Sequence, residues 1–382
     1  MDLYQLVAPA LAALEVSPPA IQVQRAEPLV ARHHPHLNPD QPALIGPVES
    51  AAQCRALCTR LAQVYRWEHG VMVLSRAGTP AVEVATMLLA QVAERLPSVG
   101  PNLLYVPPLP CPGSVESFQD TVAHLRAPDG CPWDREQTHR SLRQGFQEEA
   151  YEVLDALDRG DLEALQEELG DILLHVLLQV QIATEMGEFR LGDVVCHVNS
   201  KIVYRHPHVF DGLDVQGVAE VLVNWETLKL QEKEGRAEAP SSLAGIPEGM
   251  PALARAQSIQ RHVDRTGALE TRVAGLTAQV ASEVERLVTA TEREEGARVM
   301  GQLLFDLANL ARNLGIDAES ALREANVSFE ERFRAKEGTG QDPTVRDDEG
   351  LGARPLGDRS KFGEGCQEGR GSPGRDEHSG GN

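Results

Sequence analysis

Phe146-Gln147-Glu148-Glu149-Ala150-Tyr151-Glu152-Val153-Leu154 and, beyond a turn at Arg159-Gly160, Glu167-Glu168-Leu169-Gly170-Asp171-Ile172-Leu173-Leu174-His175 are the stretches on which the reading of this chain depends. From Ser141 to Asp158 the apolar residues Leu142, Phe146, Ala150, Val153, Leu154 and Leu157 fall within a sector of about 120°, the pattern of an amphipathic helix. Glu148, Glu149 and Glu152 form a stripe beside it, with Glu149 only about 20° from the apolar edge. A carboxylate at such a seam is partly desolvated and needs a partner.

Arg159-Gly160 closes this helix, and Asp161 suits the N-cap of the next. The second helix is apolar nearly all round from Ile172 to Val180, which implies burial. Its exceptions, Glu168, Asp171, His175 and Gln179, occupy a strip about 80° wide. A narrow polar strip on a buried helix faces a polar network or a site. Glu152 and Glu168 each lie eight residues from Gly160, and Glu149 and Asp171 eleven. In an antiparallel hairpin equal distance from the turn means equal height, so the spacing predicts two facing carboxylate pairs about one turn apart. Unpaired acids at that density repel strongly. A hard divalent cation such as Mg²⁺, which takes oxygen ligands and keeps waters for phosphate contacts, resolves the conflict; a solvated helix face and a structural acid are the plain alternatives for each half taken alone.

Composition narrows the partners. Across 382 residues Asp and Glu outnumber Lys and Arg by 57 to 36, for a net charge of −21. Such a surface repels phosphate backbones and argues against nucleic-acid partners; an anionic ligand would need a local cluster of cations or a metal ion. No apolar run approaches the roughly 20 residues of a membrane span. Met1-Asp2-Leu3-Tyr4 lacks the basic start and apolar stretch of a signal peptide. The six cysteines, at 54, 58, 111, 131, 196 and 366, show no zinc spacing, consistent with a reduced cytoplasmic protein and no membrane partner.

Proline clusters at Val106-Pro107-Pro108-Leu109-Pro110-Cys111-Pro112 and from Ala239-Pro240 to Pro251 divide the chain, and from Gly338 it loses large apolar residues. The expected organisation is a small α/β domain over 1–112, helical domains over 113–236 and 237–337, and a disordered tail over 338–382, a mostly α protein. In the first block Ala51 to Tyr65 reads as a helix with Leu57, Leu61 and Val64 on one face, Gly70-Val71-Met72-Val73-Leu74 as a buried strand, and Ala81 to Leu96 as a helix. The two helical blocks repeat each other: Gly170-Asp171-Ile172-Leu173-Leu174 returns as Gly301-Gln302-Leu303-Leu304-Phe305.

With these residues in view, 118–233 resembles the MazG family of nucleoside triphosphate pyrophosphohydrolases. The matching stretches begin with Leu125-Arg126-Ala127-Pro128-Asp129-Gly130-Cys131-Pro132-Trp133-Asp134 and Gln137-Thr138-His139. Glu148-Glu149-Ala150-Tyr151-Glu152-Val153 and Glu167-Glu168-Leu169-Gly170-Asp171-Ile172-Leu173 follow. Lys201, Arg205-His206-Pro207-His208-Val209-Phe210, Trp225-Glu226 and Lys229 complete the match. The resemblance implies an all-α bundle acting as a homodimer or higher homo-oligomer. It implies Mg²⁺-dependent hydrolysis (Mn²⁺ able to substitute) of nucleoside triphosphates to monophosphate and pyrophosphate, with nucleotide-pool house-cleaning as the role. Glu149, Glu152, Glu168 and Asp171 would then be the metal ligands and Glu148 a nearby ligand or the catalytic base. Lys201, Arg205, His206 and Lys229 are the natural cations for the remaining triphosphate charge. Trp225 would stack on a base or sit in the core; Trp133 and Cys131 read as structural.

The third block resembles the second module of tandem family members through Pro251-Ala252-Leu253-Ala254-Arg255-Ala256-Gln257 and Leu310-Ala311-Arg312-Asn313-Leu314-Gly315. Its ligand positions have changed to Ser282-Glu283-Val284-Glu285-Arg286 and Val299-Met300-Gly301-Gln302, which implies a catalytically dead module used for packing or oligomerisation. The first block is faintly similar to the C-terminal part of tetrapyrrole methylases at His33-His34-Pro35-His36-Leu37-Asn38-Pro39, Leu44-Ile45-Gly46 and Leu104-Tyr105-Val106-Pro107-Pro108-Leu109. It has no Gly-rich cofactor half, so methyl transfer is not expected.

Overall fold

A computed structural model of the chain describes residues 2–95, 102–234, 243, 245–264 and 272–339. Two compact units divide it, Met1–Lys233 and Glu234–Asn382, and the protein is mostly helical.

The first unit opens with α1 (Leu3–Leu14), β1 (Gln22–Gln24), α2 (Ala26–Ala31), β2 (Ala43–Val48), α3 (Ala51–Leu61), β3 (Gly70–Ser75), β4 (Glu83–Leu88), α4 (Leu89–Arg95) and β5 (Asn102–Val106). The strands form one sheet in the order β1-β2-β5-β3-β4, parallel only between β1 and β2. Period-2 alternation sends side chains to two cores. Leu44, Leu74, Leu103 and Tyr105 meet α1 on one face. Ile45, Val71, Val73, Leu104 and Val106 meet α2, α3 and α4 on the other. Ser50 caps α3 by accepting from the Gln53 N–H at 3.1 Å, and the helix buries Cys54, Leu57, Cys58 and Leu61.

The segment from Ala81 differs from its sequence expectation: β4 pairs antiparallel with β3 from Ser75↔Glu83 to Gly70↔Leu88 before α4 begins. Val82, Val84 and Thr86 are β-branched at alternate positions, and the open edge of β3 supplies the hydrogen bonds that a helix would have made internally.

The helical part of the first unit comprises α5 (Val115–Leu125), α6 (Pro132–Glu136), α7 (Arg143–Arg159), α8 (Leu162–Met186), α9 (Leu191–Arg205), α10 (Pro207–Phe210) and α11 (Val218–Glu234). Gly160 ends α7 at φ 66°, in the left-handed region that favours glycine. The Asp161 carboxylate then accepts from the N–H groups of Glu163 and Ala164 and starts α8. Val122, Leu142, Leu177, Leu178 and Ile182 form the core that seats α8.

The run Ile172 to Val180 is less buried than its composition implies. Leu177, Leu178 and Val180 are buried, whereas Leu173 is 37% exposed. Among the described residues α8 alone has the length and mean hydropathy of a membrane-crossing helix, by length and composition only, and it contains no uninterrupted apolar run of that length. Helix α9 buries none of its residues, and Val195 and Tyr204 stand about half exposed on it.

The second unit contains α12 (Ala252–Asp264), α13 (Val273–Thr289), α14 (Arg293–Asn313) and α15 (Ala318–Thr339). Its interior is unusually polar. The Gln257 amide donates to the carbonyls of Ala308 and Ile316, Gln260 to that of Phe305, and Arg312 pairs with Asp264 at 2.9 Å. Residues 338 and 339 of the expected tail form the end of α15; the rest of it, and the Ala239-Pro240 segment, lie outside the described residues.

Asp40, in the loop before β2, joins the sheet to α5. Its carboxylate accepts from the Gly113 N–H at 2.6 Å, the Ser114 N–H at 3.2 Å, the Ser114 hydroxyl at 2.5 Å and the Ser117 hydroxyl. Burial pushes this carboxyl up, but the bonds from Ser114, Ser117 and Gly113 outweigh it and hold the pKa at about 2. Asp40→Ala is expected to cost about 1–2 kcal/mol near neutral pH in urea unfolding. A lowered carboxyl pKa stabilises the fold above its ordinary value of 3.8 and ceases to do so as pH falls through about 2. The difference between wild type and variant should therefore shrink between pH 4 and pH 2.

Candidate metal centre on a helical hairpin

Helices α7 and α8 run antiparallel from the Gly160 turn and bring the acids of both together. Glu149, Glu152 and Glu168 each offer a carboxylate oxygen, and these oxygens lie within 4.8 Å of one another. Glu149 is partly buried, and desolvation pushes its carboxyl above the usual range, with the charges of Asp171, Glu152 and Glu148 adding to it. Glu168 is raised in the same way, by desolvation and then by Glu152, Glu167 and Glu149. Three of the four expected ligands thus share one locus at the cost of mutual repulsion, while the carboxylate of Asp171 is outside that group and acts on Glu149 through its charge. Glu148 is exposed beside the cluster, accepting from the Gln144 amide at 2.9 Å.

The polar strip of α8 meets protein along its length. His175, one turn beyond Asp171, lies against α7, its ring edge-on to Phe146 with centroids 6.0 Å apart. Its Nε2 is 4.0 Å from Glu149 Oε1. Burial lowers the imidazole pKa, with Asp171 opposing. Gln179, a further turn on, accepts from His139 and donates to the His139 carbonyl at 3.3 Å.

A second group assembles around the end of α9. Arg205 makes a two-bond ion pair with Glu232 of α11, at 3.0 and 2.5 Å. His206 donates to the Ile202 carbonyl at 2.7 Å and packs on Trp225 with ring centroids 5.2 Å apart. His208 stands 5.5 Å from His206. Lys201 and Lys229 are half-buried on α9 and α11. The contacts described here for Arg205, His206 and Trp225 are with Glu232, Ile202, His208 and one another, and none reaches the carboxylates.

Two features had no place in the sequence reading. Arg126 is buried and ties the Cys131-Pro132-Trp133-Asp134 turn to α8, donating to the carbonyls of Asp134 and Gln137 and bidentately to Glu185. Trp133 is left 65% exposed on that braced turn. The other is Gly145, whose missing side chain leaves room for the His175 ring. A glycine inside an otherwise strong helix is the signal that marks it.

Comparison with known proteins identifies the family of the stretch that carries the hairpin. Residues 137–210 match the MazG nucleotide pyrophosphohydrolase domain. The chain is 40% identical over 229 residues to the nucleoside triphosphate pyrophosphohydrolase of Escherichia coli K12, covering 58% of this chain and 87% of that protein. It is 39% identical over 222 residues to the Thermotoga maritima nucleoside triphosphate pyrophosphohydrolase/pyrophosphatase MazG, covering 58% and 85%. The uncharacterized Bacillus subtilis protein YabN is 34% identical over 286 residues, 73% of this chain and 58% of its own. The domain match spans α7, α8 and α9, so the hairpin that gathers the acids is family sequence, and the chain belongs to the MazG family of nucleoside triphosphate pyrophosphohydrolases.

Proposed function

We propose that the chain cleaves nucleoside triphosphates between the α- and β-phosphates, releasing monophosphate and pyrophosphate, at a Mg²⁺ site held by Glu149, Glu152, Glu168 and Asp171. The observation that carries this is the convergence of three carboxylate oxygens within 4.8 Å across the hairpin. The donor set suits the ion: it is all-oxygen and anionic, and the crowding that raises Glu149 and Glu168 is a repulsion that a cation relieves. Mn²⁺, with the same preference for oxygen, fits equally. A bound ion would neutralise phosphate oxygens and lower the pKa of a coordinated water.

Glu148, exposed and one residue from the ligand set, is placed to take a proton from the attacking water, whose oxygen ends on phosphorus while the bridging oxygen leaves with pyrophosphate. Lys201, Arg205, His206 and Lys229 supply positive charge for the remaining phosphates, which requires Arg205 to exchange Glu232 for substrate. Trp225 offers a ring face beside them for the base. Clearing unwanted nucleotides from the cytoplasmic pool is the role this chemistry serves, with no nucleic-acid or membrane partner.

The proposed domains are 1–112, 113–236 and 237–337, the third a second module without its own centre. At its changed ligand positions Arg286 pairs with Glu283 at 2.8 Å, so a fixed guanidinium meets the carboxylate charge. The N-terminal block, resembling part of a tetrapyrrole methylase, supports α5 through Asp40. The unburied apolar residues of α9 favour a homodimer or higher homo-oligomer.

Incubation with a panel of ribo- and deoxynucleoside triphosphates and Mg²⁺ should yield monophosphate and pyrophosphate by anion-exchange chromatography. Release of orthophosphate instead would overturn the reading. Glu149→Gln is expected to lower kcat/KM by roughly 10²-fold or more. In EDTA the same variant should unfold at a higher temperature than wild type, because a repelling charge is gone. Mg²⁺ should then raise the wild-type midpoint and leave that of the variant in place.

Arg286→Ala strips the partner from a carboxylate that is only 8% exposed. A loss of about 1–2 kcal/mol in urea unfolding, with kcat unchanged, is the expected outcome. A fall in kcat would place the second unit in the chemistry.

A further inference from the structure

Gly145 occupies the first turn of α7 and has ordinary helical backbone, so no turn or positive φ requires glycine there. Glycine in a helix is destabilising relative to alanine. A Cβ at this position would stand 2.8 Å from Cε1 and 3.0 Å from Nε2 of His175, closer than packed atoms approach. The glycine therefore makes room for an imidazole. That ring is 12% exposed, lies edge-on to Phe146 and stands 4.0 Å from Glu149 Oε1. Its Nδ1 is buried with no hydrogen-bond partner among the described residues, so local hydrogen bonding does not explain its presence.

The second hairpin provides an independent comparison. Gln279 stands four residues before Glu283, as Gly145 stands four before Glu149, and Asp306 five after Gly301, as His175 five after Gly170. There the same cross-helix gap is closed by the Gln279 amide donating to Asp306 at 3.0 Å. A long side chain on the first helix and a short one on the second fill the gap equally well. Only the hairpin carrying the full carboxylate set empties the first helix and places an imidazole against the first of its acids.

We propose that His175, admitted by Gly145 and steadied by Phe146, is a positioning residue that walls Glu149 and keeps its carboxylate turned toward Glu152 and Glu168. The inference rests on the metal-centre reading given above. Acids at this density repel, so the rotamer of Glu149 that points into the cluster is not the one it would choose alone. A packed ring on its open side denies it the alternative, and a partner that orients a ligand is typically worth 10–100-fold in metal affinity.

Mn²⁺ titration of the full chain by calorimetry tests this with wild type, His175→Ala, His175→Gln, Gly145→Ala and the Gly145→Ala/His175→Ala double variant. His175→Ala should weaken Mn²⁺ binding about tenfold and raise by the same factor the metal concentration for half-maximal turnover, leaving KM for nucleotide at saturating metal unchanged. His175→Gln, which refills the space, should recover most of the loss. Gly145→Ala should match His175→Ala by displacing the ring, and the double variant should be no worse than either, since the added methyl then enters vacated space. Wild-type Mn²⁺ affinity in His175→Ala, or additive losses in the double variant, would overturn the positioning role while leaving the metal centre intact. Absence of Mn²⁺ binding by wild type would overturn the centre itself and this inference with it.

Discussion

Carboxylates facing one another across an antiparallel hairpin push its helices apart, so the hairpin must be held by something other than its acids. In this chain the hold comes from the turn and the opposite side of α8. Gly160 in the left-handed region and Asp161 capping Glu163 and Ala164 fix how many residues separate the helices. Because each residue turns a helix by about 100°, one residue more or fewer would carry Glu168 and Asp171 out of register with Glu152 and Glu149. Leu177, Leu178 and Ile182 then seat α8 against Val122 and Leu142, two turns beyond the acids. Apolar burial at one end of the helix thus supports electrostatic strain at the other.

Those constraints are local, and so they could be read in the sequence. Helix period, glycine turn, Asp cap and equal spacing from Gly160 each involve neighbouring residues, and together they set the hairpin before any tertiary contact is known. Elements that depend on distant partners were less readable. The segment 83–88 leads directly into α4 and turns to strand because β3 offers an edge to it. Asp40 reads as a loop acid until Gly113, Ser114 and Ser117 arrive from more than seventy residues away. Gly145 reads as a weak point of a good helix until the His175 ring occupies its empty side. The exposed apolar residues of α9 show the reverse limit: hydrophobic periodicity marks a face to be covered without saying whether this chain or another covers it.

The two hairpins set out alternative answers to one electrostatic problem. In α13 and α14 the carboxylate of Glu283 is met by Arg286 from the same helix. Asp306 is raised in pKa by burial, with the amides of Gln302 and Gln279 working against the shift and Glu283 adding to it. Glu283 and Asp306 there each have a partner supplied by the chain itself, so part of their charge is met without an ion. In α7 and α8 the positions proposed to correspond to Arg286, Val299 and Gln302 hold Glu152, Glu168 and Asp171, and no guanidinium or amide from the hairpin is bound to Glu149, Glu152 or Glu168 among the described contacts. Their compensation has to come from outside and be exchangeable, which is what a phosphate-binding cation requires. Retaining three acids at the positions where the other hairpin carries arginine, valine and glutamine is destabilising for the free protein, and that imbalance is the physical reason for assigning chemistry to the first hairpin and architecture to the second.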